Sequence, residues 1–547
     1  MYDDVFPPLP ARARADPDGL AVVDPAAGRR LTWAELDDAA EADAGRLAAL
    51  GCAGGTVALL ADQGWRTAAL LHACAASGAA LAPLPVRSPV PDLARMLADC
   101  RPAALLASAE RAADLRAAAT LAGIVAPLLT LGGAAGDGFE RLRPDRAGPA
   151  ATPAGADLRP DLTPGPGVGP HLVPGLGPDL GPGLGPDPAP HPSPASPDLC
   201  VLYTSGTSGP AKGVRLTLAN HHFSALGCQA ALASQPGERW LLTLSTHHVG
   251  GLAILYRGAA AGQPVVILPR FDEAAVIQAL ETHRPRLVSL VPAMLTRLLR
   301  AGGHGALART RAILLGGAPA PAAMVREWAA AGLPVCPTYG LTETCSQVAT
   351  VPPGRAAEMA GAAGLAHPHA RVVIVAGGDG AGARAGRRFA EPGAAGEIAV
   401  GGPVVSPGYL GAPPPAGLEP SPGAASRAPF RTGDLGSLDA SGVLTVHGRV
   451  DDAIITGGEN VNPEEVEAVL RSLPGVADVA VVGRPDPVYG MVLEALIVGD
   501  ARPQEVTAQA RALLPAFKVP RRARTVDALP RGESGKLLRR VLSETDF

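Results

Sequence analysis

Lysine is nearly missing from this chain. Among 47 basic residues only Lys212, Lys518 and Lys536 are lysine. A chain so biased to arginine keeps lysine mainly where a flat guanidinium will not replace a compact ammonium. Aromatic residues are scarce too, at 3%, while alanine, glycine and proline abound. Local propensity is therefore a weak guide here, and periodicity and turn chemistry must carry the reading. The seven cysteines, Cys52, Cys74, Cys100, Cys200, Cys228, Cys336 and Cys345, are scattered and contain no C-x-x-C pair. That excludes a disulfide framework or a zinc site and points to reduced thiols in a cytoplasmic protein. Net charge is −4, which gives no general attraction to nucleic acid or to an anionic membrane. The first residues, Met1-Tyr-Asp-Asp-Val-Phe-Pro-Pro8, lack a basic stretch followed by an apolar run, so no secretion signal is expected. Residues 67–84 are uncharged, yet they are mostly small and include His72 and Ser77. They read as a buried helix running into a buried strand, not as a membrane span.

What is present is alternation. The 547 residues are enough for roughly three to five domains. Strand-like runs at 57–61 and 80–84 flank a helix-like run at 65–76. After residue 199 the alternation returns, with strands at 199–203, 240–244, 264–268, 287–291 and 312–316 and a helix at 218–234. Such alternation predicts an α/β fold with parallel sheets covered by helices. Between them, residues 148–197 form a degenerate Gly/Pro/Leu/Asp repeat with too little apolar surface to offset ordering entropy. A disordered insertion without a catalytic role is expected there. Gly/Pro/Ala-rich stretches at 377–396 and 411–429 read as surface loops. Beyond Arg449 the character changes. Asn462 as a cap, Pro463 in the first turn and two glutamates open a helix. Strands at 479–482 and 495–498 then flank Pro485-Asp-Pro487. This predicts a small α+β domain of about a hundred residues.

Two of the lysines sit in Gly/Ser/Thr loops. Lys212 closes Thr204-Ser-Gly-Thr-Ser-Gly-Pro-Ala-Lys212, and Lys536 closes Pro530-Arg-Gly-Glu-Ser-Gly-Lys536. Glycine-freed N–H groups, hydroxyls and an ammonium suit a polyphosphate. The phosphate loop of P-loop NTPases requires G-x-x-x-x-G-K-[ST]. Here Gly206 and Gly209 precede Lys212, and Gly213 follows it, so that motif is excluded.

The first loop instead resembles the signature of the adenylate-forming superfamily, which includes acyl-CoA synthetases, luciferases and peptide-synthetase adenylation domains. Tyr339-Gly-Leu-Thr-Glu343, Thr432-Gly-Asp434, Gly448-Arg-Val-Asp-Asp452 and the Lys536 loop are similar to its later motifs, in the same order. The resemblance implies a large domain over 1–448, a hinge at 449–452 and a small mobile domain over 453–547. It implies ATP, Mg2+ and CoA as cofactors and a small-molecule carboxylic acid as substrate. Thr204, Ser205, Gly206, Thr207, Ser208, Gly209 and Lys212 would hold the β- and γ-phosphates. Glu343 would bind Mg2+ and Thr342 would touch the α-phosphate. Gly316, Gly317 and Ala318, with Thr338, Tyr339 and Gly340, would wall the adenine. Asp434 would accept from the ribose hydroxyls, with Arg449 beside it. His248, Gly250 and Gly251 would border the acyl pocket. Lys536 would bridge the acyl carboxylate and the α-phosphate. Asp451 would be the hinge, and Gly457, Gly458 and Glu459 would line the CoA tunnel after rotation. Lys518 falls where relatives often carry lysine, as a structural residue or a coenzyme contact. A homodimer is compatible with this reading.

Within the superfamily, Thr344-Cys-Ser346-Gln347 and His248-Val-Gly-Gly-Leu252 most resemble the 2-succinylbenzoate–CoA ligases of menaquinone synthesis, many of which carry serine where Gly250 stands. Arg257 is the candidate for the far carboxylate of such a dicarboxylate. Residues 448–460 are equally similar to aryl-CoA ligases of the benzoate type. Another aryl- or acyl-CoA synthetase, a free-standing adenylation enzyme serving a carrier protein, a luciferase-type oxygenase and a non-catalytic nucleotide binder stay open. No carrier domain is expected after Phe547, and Lys536, Glu343 and Asp434 together speak against the non-catalytic binder.

Overall fold

The computed structural model describes residues 7–131, 140–141, 196–204, 211–376, 389–411, 429–450, 454–456, 459–486, 490–532 and 537–544. The expected insertion at 148–197 lies outside them but for Ser196 and Pro197, as do most of the two softer stretches.

Three sheets organise the described chain. In the eight-stranded sheet the central strands, Thr56–Leu60, Ala80–Pro83 and Ala104–Ser108, run parallel. They are buried on both faces, which is why they read as unbroken apolar runs. The thirteen-stranded sheet is parallel in one half, through Trp240–Leu242, Leu287–Leu290, Ala312–Leu315 and the start of Val335–Leu341. Helix Trp65–Ser77 is buried from Thr67 to Cys74, and with Val249–Ala261 it belongs to the largest apolar core. Among the described residues no helix is long and apolar enough to cross a membrane. All seven cysteines are free and buried.

The other half of the large sheet is antiparallel, beyond what strand–helix alternation conveys. Val335–Leu341 pairs in parallel with Ala312–Leu315 through Val335, Cys336 and Pro337. From Thr338 onward it pairs antiparallel with Ser346–Thr350. After Thr344, no helix among the described residues intervenes before Pro463, so neighbouring strands there pair antiparallel without crossover helices. The seam between the two halves passes through Thr338, Tyr339 and Gly340.

The third sheet is built around the hairpin Val476–Asp486 and Gly490–Gly499. Its first strand outruns the expected 479–482 and includes Pro485. That strand lies at the sheet edge, where proline is tolerated because one side of the strand has no ladder partner. Helix Pro463–Arg471 begins as anticipated, with Asn462 Oδ1 accepting from the Glu464 N–H at 3.0 Å.

Candidate functional site

Gly316, Gly317, Thr338, Tyr339, Gly340 and Glu343 lie where the parallel strands of the large sheet end and the antiparallel half begins. In open parallel sheets that edge is the usual ligand crevice. Gly316 follows Ala312–Leu315 directly, and a Cβ there would lie 2.9 Å from Thr338 Cγ2. Gly317 stands at φ +78°, a conformation glycine adopts without strain. Thr338 is fixed by donating to the Ala349 carbonyl at 2.7 Å. Gly340 has no room for a side chain, since a Cβ would fall 2.0 Å from the Ser346 carbonyl oxygen.

Glu343 sits in a single helical turn, Thr342–Thr344. The turn closes through Cys345 at φ +52° and Ser346 at φ +92°. Two successive non-glycine residues in positive φ cost energy and persist only where surroundings hold them. Here Ser224 Oγ donates to the Cys345 carbonyl at 2.6 Å, and Thr344 Oγ1 donates to that of Ser346 at 3.1 Å. The half-buried Glu343 carboxylate accepts from Tyr409 Oη at 2.9 Å and forms no ion pair among the described residues. An oxygen donor without a competing cation fits Mg2+ shared with phosphate oxygens.

Thr204 and Lys212 face each other across the hairpin of Asp198–Thr204 and Lys212–Thr217. Ser205, Gly206, Thr207, Ser208 and Gly209 lie outside the described residues. The Lys212 ammonium stands over the Tyr409 ring, 5.5 Å from its centroid.

Asp434 and Arg449 are register partners on Phe430–Leu438 and Val443–Arg449. Arg449 Nη1 donates to Asp434 Oδ1 at 3.0 Å, and Tyr339 Oη donates to Oδ2 at 2.6 Å. Burial, and then the Asp434 charge, push the Tyr339 hydroxyl far above its ordinary pKa, so it stays a donor.

His248 caps helix Val249–Ala261, its ring centroid 4.2 Å from that of His247. Burial, then His248, push His247 down to about 3. Gly251 is required, because a Cβ would lie 2.4 Å from the Ser245 carbonyl oxygen. At Gly250 a Cβ would lie 3.2 Å from Leu244 Cδ1, the end of a flexible side chain.

Along the same helix Arg257 is 3% exposed. Its Nη2 donates to Gln347 Oε1 at 2.7 Å. Its Nε has no partner among the described residues, and it forms no ion pair there. Ser346 also donates to Gln347 Oε1, while Gln347 Nε2 donates to Cys228 Sγ at 3.0 Å. The Tyr256 hydroxyl and His221 Nδ1 are likewise buried without partners among the described residues. A buried cation with adjacent unmet polar atoms is costly unless something polar completes it.

Lys518 is held by Glu465 at 2.5 and 2.7 Å, so the ammonium has a structural partner. Thr456 and Glu459 pair across the two-residue connection Gly457-Gly458. Those two glycines, Asp451 and Lys536 lie outside the described residues.

The sequence reading missed Tyr409 and the Arg257–Gln347 pair. A signal for Tyr409 was available. Tyrosine is sparse here, with six in the chain. The four that are described, Tyr203, Tyr256, Tyr339 and Tyr409, all flank these loops or the Arg257 cluster.

The fold defines an α/β protein in which the parallel and antiparallel halves of the large sheet meet beside these loops. Residues 9–410 match the AMP-binding enzyme family, and residues 465–536 match the AMP-binding enzyme C-terminal domain. The chain belongs to the AMP-binding enzyme family. A 2–succinylbenzoate–CoA ligase of Bacillus licheniformis is 38% identical over 346 residues, covering 62% of this chain and 69% of the relative. Its Bacillus subtilis counterpart is 37% identical over 351 residues, covering 63% and 68%. Among solved structures, the o-succinylbenzoate CoA synthetase MenE of Bacillus subtilis, in complex with the acyl-adenylate OSB-AMP, superposes with TM-score 0.76. It is 28% identical, over 99% of this chain and 98% of that one. ATP-bound MatB of Rhodopseudomonas palustris gives 0.79 at 26% identity, over 100% and 99%.

Proposed function

We propose that the chain is an AMP-forming acid–CoA ligase whose acid is 2-succinylbenzoate. The acid's carboxylate attacks the α-phosphorus of ATP, and pyrophosphate leaves. The CoA thiolate then attacks the acyl carbon, and AMP leaves. The likeness to 2-succinylbenzoate–CoA ligases supports this reading. The observation that carries the choice of acid is Arg257, a buried guanidinium with an unmet Nε–H and no acidic partner among the described residues. A substrate with a second carboxylate supplies that partner. A monocarboxylic acid leaves the cation uncompensated.

In this reading Thr204, Ser205, Gly206, Thr207, Ser208, Gly209 and Lys212 cradle the β- and γ-phosphates. Thr342 contacts the α-phosphate. Gly316, Gly317, Ala318, Thr338, Tyr339 and Gly340 form the adenine wall, which the close approach of Gly316 to Thr338 supports. Asp434 receives the ribose hydroxyls, preorganised by Tyr339 and Arg449. His248, Gly250 and Gly251 border the acyl group. Mg2+ when bound neutralises polyphosphate charge, and Glu343 is the carboxylate that holds it. Lys536 stabilises the charge of the in-line displacement. The chain divides into a large domain over 1–448, a hinge over 449–452 centred on Asp451, and a small domain over 453–547. Rotation about the hinge withdraws Lys536 and delivers Gly457, Gly458 and Glu459 to line the path of the CoA arm.

The test is pyrophosphate release by purified protein against a panel of acids, with and without CoA. The expected result is turnover and a CoA thioester with 2-succinylbenzoate. Activity confined to simple benzoates or fatty acids removes this acid and leaves an aryl- or acyl-CoA synthetase.

A further inference from the structure

We propose that Tyr409 is a positioning residue that ties the phosphate-loop cation to the metal-binding carboxylate, its ring seating Lys212 and its hydroxyl seating Glu343. The inference rests on the roles given to Lys212 and Glu343 above and assigns the residue that couples them.

Three segments distant in sequence meet at this side chain. Tyr409 Oη donates to Glu343 Oε1 at 2.9 Å, and the Lys212 ammonium lies over the same ring. The backbone makes the meeting obligatory. Gly408–Tyr409 pairs antiparallel with the strand that begins at Lys212, Tyr409 opposite Val214. The Leu410 N–H donates to the Gly213 carbonyl at 2.8 Å, and the Ser406 N–H donates to the Glu343 carbonyl at 2.8 Å. Ser406 Oγ donates to the Arg215 carbonyl at 2.6 Å. Residues 406–410 thus strap the Lys212 strand to the Glu343 turn. Gly213 permits the approach, since a Cβ there would come 3.0 Å from Leu410 Cδ1.

The chemistry explains why a tyrosine serves here. An ammonium on a four-carbon stem has many positions open to it, and an aromatic face narrows them without neutralising the charge. A phenol donor fixes one carboxylate oxygen and adds no competing cation, so Glu343 keeps its charge for a metal.

The experiment compares Tyr409→Phe, Tyr409→Leu, Glu343→Gln and the double variant Tyr409→Phe/Glu343→Gln in the full chain. Acid-dependent pyrophosphate release is followed against free Mg2+ and then against ATP. Tyr409→Phe keeps the ring and loses the hydroxyl. It should raise the half-saturating Mg2+ by about five-fold or more and leave the ATP KM at saturating Mg2+ within about two-fold. Tyr409→Leu loses both and should raise that KM by roughly three- to ten-fold. The double variant should need no more Mg2+ than Glu343→Gln alone, because the hydroxyl acts through Glu343. A packing defect would instead add to the Glu343 effect. If Glu343→Gln shifts the Mg2+ requirement and Tyr409→Phe does not, the coupling is overturned while the Glu343 role stands. If Glu343→Gln shifts nothing, the Glu343 role falls and the coupling with it.

Discussion

Replacing Arg257 by methionine isolates the interaction that selects the acid. Methionine roughly conserves the volume of the buried stem and removes the charge. The guanidinium is 3% exposed, bonded to Gln347 and lacking a partner at Nε among the described residues. Removing a cation in that condition loses one hydrogen bond and relieves an uncompensated burial, so the apparent unfolding temperature should not fall. The bound substrate should behave oppositely. A hydrogen bond between charged groups in a buried site contributes about 2–4 kcal/mol once desolvation is subtracted. That corresponds to roughly 30- to 1000-fold in kcat/KM. The assay is initial-rate pyrophosphate release with 2-succinylbenzoate and with the analogue whose distal carboxylate is replaced by hydrogen. The parent should prefer the diacid by that factor, and Arg257→Met should bring the ratio near unity. A variant that still prefers the diacid within about threefold of the parent would refute the argument from Arg257.

Lys536→Ala should abolish adenylate formation while thiolation of a supplied acyl-adenylate persists. Equal loss in both half-reactions, followed by single-turnover thioester analysis, would reject its role. Gly340→Ala drives a methyl group onto the Ser346 carbonyl and should cost about 1–3 kcal/mol or more, read as a lower unfolding temperature and weaker ATP binding by calorimetry. Burial is the first cause that lowers His72 to about 4 and His221 and His367 to about 3, and His247 behaves alike. Their unfolded pKa is about 6.5, so below it the unfolded chain binds more protons than the folded one. The stability these histidines give is complete above about pH 6.5 and is lost as pH falls toward about 3, by up to about 1.4 kcal/mol per pH unit for each. An apparent unfolding temperature unchanged between pH 6.5 and 5 would contradict that.

The parts legible in the sequence were those specified locally. Thr56–Leu60 and Ala312–Leu315 announced themselves because a strand buried on both faces must be apolar throughout. The helix at Pro463 was visible because a cap, a proline and two acidic residues satisfy its first turn within four positions. The antiparallel half escaped because hairpin partners are chosen by sheet order, and periodicity does not encode that order. Pro485 looked like a strand end and is not one, since edge position is a property of the whole sheet.

Sequence alone offered the Gly/Ser/Thr loops that end in Lys212 and Lys536, because their residue types suit a polyphosphate, while Glu343 and Asp434 were read from the family resemblance. Tertiary structure alone decided that Tyr409 meets Glu343 across 66 positions and that Arg257 meets Gln347 across 90. The physical reason is that strand order and close glycine contacts carry remote segments to one edge. No local pattern specifies which buried donor will then find which acceptor.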